Sequence, residues 1–113
     1  MNSILLTIRS MLGLESNYDG WDLQLINIIN SIFLSLHQLG VGPTIVFSIT
    51  GLDNTWDEFV GVALNLEAVK TYIYLKTRII FDPPTHSYLI DAINKQIEEL
   101  EWRLREQTEY IEE

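Results

Sequence analysis

The chain of 113 residues contains no cysteine. That absence removes disulfide frameworks, thiolate metal sites and cysteine nucleophiles together, and it suits a reducing compartment. Basic residues are scarce as well: seven Lys and Arg stand against sixteen Asp and Glu, a formal net charge of −9. Nucleic-acid binders set cations against phosphates, so this balance argues against direct DNA binding. A channel through which DNA slides without sticking favours the same sign. No stretch reaches the roughly 18 to 20 continuous apolar residues of a membrane span. The richest, Leu23 to Leu39, is interrupted by Gln24, Asn27, Asn30, Ser31, Ser35, His37 and Gln38. Met1 to Arg9 lacks the basic leader and apolar core of a secretory signal, so none is expected.

What remains is a foldable chain. Hydrophobic residues make up 47% of it, enough for a core, and the length fits a single domain over residues 1–113. The expected class is mainly α: a small bundle of about four helices, one extended loop or short strand, and a long C-terminal helix. The first helix runs from about Ser3 to Leu12, capped by Asn2 or Ser3 and closed by Gly13. Glu15 to Gly20 reads as a loop. A second helix extends from near Asp22 to Gly40, and its wide apolar surface marks it as the central one. Thr44 to Thr50 is rich in β-branched and aromatic residues and lies between Pro43 and Gly51, so it could be a strand as well as an extended loop. A lone strand needs a pairing partner in this chain or a neighbouring one.

Thr55-Trp56-Asp57-Glu58 has the spacing of a capping box, opening a short helical turn through Val60 or Leu64. A third long helix covers about Leu66 to Phe81, and Asp82-Pro83-Pro84 ends it. The last helix starts at Thr85 or Ser87 and continues to about Thr108, within a C-terminal stretch assigned as 85–113. Its apolar residues Ile90, Ile93, Ile97, Leu100 and Leu104 recur at helical spacing and form a narrow seam. A helix of that length is longer than a domain of this size needs, so part of it should project or pack on a partner.

Candidate chemistry is thin. Asp53, Asp57 and Glu58 could offer oxygen ligands to a divalent cation, but they lack calcium-loop spacing and serve equally as turn and cap residues. His37 and His86 lie on different elements with no carboxylate at a fixed spacing, which supports neither a triad nor a zinc site. Glu98, Glu99 and Glu101 share a charged helix with Lys95, Arg103 and Arg105 and read as a solvated face. No phosphate-binding glycine loop is present. No catalytic residue, metal or cofactor is expected. Trp21 and Trp56 read as core; Trp102, Arg103 and Leu104 fit an interface as well as they fit intrachain packing.

The order of elements, with Tyr72-Ile73-Tyr74-Leu75-Lys76-Thr77-Arg78, then Phe81-Asp82-Pro83-Pro84, then Ile97-Glu98-Glu99-Leu100-Glu101-Trp102-Arg103-Leu104, resembles the head–tail connector (head-completion, adaptor) proteins of long-tailed bacteriophages. The resemblance spans most of the chain and is sharpest from Tyr72 to Leu104. It implies a virion structural protein, assembled in the host cytoplasm, that forms a head-to-tail ring of about a dozen copies beneath the portal. Such a ring extends the DNA channel and presents a surface to the next stopper or tail-completion component. DNA passes through without specific binding, and no membrane is involved. The partner interface implied includes Thr44, Ile45, Val46, Phe47, Ile49 and Asp53 on the extended segment and Trp102, Arg103 and Leu104 on the last helix. The alternative is a soluble regulatory module that dimerises through the last helix as a short coiled coil.

Overall fold

The computed structural model describes residues 3–15, 18–43, 45–59 and 66–111. Among them are five helices: α1 (Ile4–Met11), α2 (Asp22–Gln38), α3 (Trp56–Phe59), α4 (Leu66–Phe81) and α5 (Ser87–Ile111). None of these is long and apolar enough to cross a membrane. The expected boundaries of α4 coincide with the observed ones, and those of α1 and α2 agree within two residues. Val60 to Leu64, part of the expected turn after the capping box, lies outside the described residues.

Local chemistry explains the ends. The Ser3 hydroxyl accepts from the Leu6 N–H at 3.3 Å and caps α1. The capping box forms: the Thr55 N–H donates to Glu58 Oε1 at 2.9 Å and the Glu58 N–H to Thr55 Oγ1 at 3.4 Å. At the end of α2, Gly40 adopts φ of 85°. Its N–H donates to the His37 carbonyl and the Val41 N–H to the Leu36 carbonyl, both at 2.9 Å. This pair of bonds closes the last turn, with Val41 and Leu36 both buried. Gly42 is needed for space, because a Cβ there would lie 2.6 Å from the Phe59 ring.

Helix α4, rather than α2, is the hub. It packs against α2, α5 and α1, whereas α5 rests chiefly on α4 alone. The core joins Ile4, Leu5 and Ile8 of α1 to Leu25, Ile29, Phe33 and Leu36 of α2 and Val69, Tyr72 and Ile73 of α4. Trp56 is fully buried, and its indole N–H donates to Thr7 Oγ1 at 3.0 Å. Trp21 departs from its expected core position: it is exposed at the start of α2 and meets Phe81 edge-on at 5.5 Å. Buried Arg9 of α1 pairs with Asp22 of α2 at 3.4 Å and donates to the Tyr18 carbonyl.

Of the two forms open to the segment after Pro43, it takes the extended loop; there is no strand among the described residues. A side chain takes the place of a partner strand. Asn30 of α2 accepts from the Ile49 N–H at 2.7 Å and donates to the Ile49 carbonyl at 3.0 Å. Both backbone groups of Ile49 are thereby satisfied, and its side chain is driven into the core. Asn54 Oδ1 then accepts from the N–H groups of Thr50 and Gly51 and turns the chain toward α3. Phe47 and Phe59 close over Phe33 with ring centroids 5.0 and 4.9 Å from it.

Asn30→Ala should lower the unfolding free energy by about 1 to 3 kcal/mol in urea denaturation, since it leaves both Ile49 groups unpaired. Asn30→Asp should lose at least as much at neutral pH, because a carboxylate oxygen would then face the Ile49 carbonyl. Wild-type stability in Asn30→Ala would show that the clamp contributes nothing.

Candidate functional site

No side-chain cluster suited to holding a metal ion occurs among the described residues. Glu58 is engaged in the cap, while Asp53 and Asp57 are exposed. The residues expected at a partner interface lie on two elements.

The first surface belongs to the α4–α5 hairpin. Ile93, Ile97 and Leu104 turn toward α4 and are buried, with Ile90 and Leu100 partly covered. The seam that a coiled-coil partner would need is therefore occupied within the chain. One buried polar group fixes the register: the Tyr72 hydroxyl donates to Glu101 Oε2 at 2.8 Å. Lys76 Nζ lies 3.4 Å from that hydroxyl and 3.9 Å from the same carboxylate oxygen. Tyr72 is fully buried, so a slip of α5 along α4 would leave its O–H without an acceptor. Sequence reading missed this group; the signal available was Tyr72 inside an apolar helix face, where a phenol needs a partner.

Leu104, one of the expected interface residues, is only 1% exposed and belongs to the chain's own core. Its neighbours differ. Trp102 is 60% exposed, and exposed Arg103 pairs with Glu99 at 2.7 Å. A shallow groove of about 170 Å³ runs beside them, lined by Thr71, Leu75, Gln96, Glu99, Leu100 and Arg103. Trp102 is thus a large apolar side chain left mostly in solvent.

The second surface is the clamped segment. Ile45 is 83% exposed and Val46 and Leu52 are exposed beside it. Phe47 is half-buried over Phe33, Asp53 faces solvent, and Thr44 lies outside the described residues. Ile49 is 1% exposed, so the Asn30 clamp removes it from the surface expected for it. Sequence reading missed Asn30 as well, although an amide within an apolar helical run signals a buried polar partner.

Compared with known proteins, residues 4–111 match the family model described as phage connector protein. No curated protein and no solved structure matches the chain.

Burial is the main influence pushing the Tyr72 phenol upward from its ordinary value, and the bond to Glu101 and that group's charge push the same way. The proton is held more tightly in the folded chain than in the unfolded one. Its stabilising contribution is complete below about pH 10 and declines as pH rises beyond that. Tyr72→Phe should cost about 1 to 2 kcal/mol near neutral pH. The variant should also lose less stability than wild type between about pH 9 and 11. Parallel losses in chemical denaturation across that window would contradict the assignment.

Proposed function

The chain belongs to the phage connector protein family, and from that membership we propose that it is the head–tail connector of its virion. About a dozen copies form a head-to-tail ring below the portal, extend the DNA channel, and present a surface to the next stopper or tail-completion protein. The family match over residues 4–111 carries this reading. Two structural features support it. Head-to-tail assembly requires two different surfaces on each subunit, and the exposed apolar side chains around Trp102 and around Ile45 offer two separate ones. The net charge of −9 suits a conduit that DNA passes without binding.

Dimerisation through α5 has less support, since Ile93, Ile97 and Leu104 are already buried within the chain. In the proposed assembly Trp102 and Arg103 meet a neighbour or the portal, while Ile45, Val46 and Phe47, next to Thr44 and Asp53, reach an adjacent subunit or the channel.

The test is to mix the purified chain with the portal ring of its source phage and image the product by electron microscopy. A ring of this protein stacked beneath the portal is expected; bare portals beside a stable dimer of the chain would refute the proposal. Trp102→Ala should reduce ring occupancy while leaving the circular dichroism spectrum unchanged, because its side chain is exposed. Loss of helical signal in that variant would make Trp102 a folding residue.

A further inference from the structure

Residues 23–52 contain no Asp, Glu, Lys or Arg, although the whole chain carries sixteen acidic and seven basic residues. This run forms nearly all of α2 and the segment clamped to it. A core location accounts for the buried half of α2 and leaves the other half unexplained. Leu23, Asn27, Ser31, Leu34 and Gln38 recur at steps of three and four and are all exposed. They make a continuous uncharged stripe along a helix of 17 residues, about 26 Å long at the usual rise. Solvated helix faces ordinarily carry charge, as the exposed Asp91, Lys95, Glu98 and Arg105 of α5 do. The segment that Asn30 joins to α2 through Ile49 carries the exposed apolar residues Ile45, Val46 and Leu52. Leu23 itself is 76% exposed.

We infer that this charge-free face is where a second copy of the chain docks. The inference rests on the ring proposed above and names one of the two surfaces it uses. The argument is electrostatic. Each copy carries a net charge of −9, so two copies repel wherever their acidic surfaces meet. The Coulombic cost of approach is least where one partner presents no charge, and interface centres are correspondingly depleted in charged residues. A charged partner gains nothing specific from a neutral stripe. A basic one would instead find its complement at the acidic C-terminal end, where Glu98, Glu99, Glu101, Glu106, Glu109, Glu112 and Glu113 stand against Arg103 and Arg105. The neighbouring copy meets the stripe with a different surface, as head-to-tail closure requires.

Placing charge on the stripe tests this. Ser31→Glu with Leu34→Glu, both at exposed positions, should weaken self-association by about tenfold or more through like-charge repulsion. Sedimentation velocity, run on the full chain alone and with the portal ring, reads the assembly, and circular dichroism checks the fold. Gln24→Glu with Asn27→Asp is the near-isosteric second variant, adding two charges to the same face without changing its shape. Wild type that assembles beside folded, monomeric variants supports the inference. Variants that assemble like wild type overturn this surface and leave the connector reading intact. A wild type that stays monomeric with and without portal overturns both.

Discussion

Helix α4 must satisfy three neighbours at once, and the arrangement of the chain follows from that demand. Helices α1 and α2 cover part of it and α5 covers another, so these elements are positioned through α4 more than through one another. The consequence is sharpest for α5, a 25-residue helix with one substantial packing partner. Apolar burial along its seam is non-directional and would tolerate a slip of one turn. The bond from buried Tyr72 to Glu101 would not, because a displaced phenol loses its acceptor while its ring stays buried. Packing thus holds α5 to the bundle, and one polar contact selects its register. With the register fixed, Trp102 is held outward at a definite place.

The extended segment follows a similar logic with different chemistry. A stretch of β-branched and aromatic residues ordinarily seeks a strand, and an unpaired strand invites unwanted association. Here the amide of Asn30 imitates one rung of a ladder by bonding both backbone groups of Ile49. That rung draws Ile49 into the core and leaves Ile45 and Val46 facing out. The segment is held in place without becoming part of a sheet. Its exposed residues and the uncharged side of α2 belong to two elements joined at the Asn30 contact.

Features governed by neighbouring residues were legible in the sequence. The span Leu66–Phe81, the Thr55–Glu58 capping box, the stop at Gly40 and the break at Pro83-Pro84 each depend on residues within one or two turns. Features that depend on which elements meet were not legible. A count of apolar positions favoured α2 as the centre, but width of an apolar surface does not reveal how many helices will share it. Composition left residues 44–50 open between an extended loop and a strand because it cannot show that a distant asparagine will supply the pairing. Leu104 and Trp102 are two residues apart with opposite fates, since helical periodicity gives the angle between them and leaves open which one meets α4.

The central claim is that the neutral surface spanning α2 and the 45–52 segment is covered when the connector assembles. Amide hydrogen exchange compared between the free chain and the portal-bound assembly tests it directly. Among the described residues, the N–H groups of Val46, Phe47 and Ser48 donate to no backbone partner, whereas that of Ile49 donates to Asn30. The account predicts fast exchange at residues 46–48 in the free chain, marked slowing in the assembly, and protection of Ile49 in both. Equal exchange at residues 46–48 in the two states, with new protection confined to α5, would contradict it.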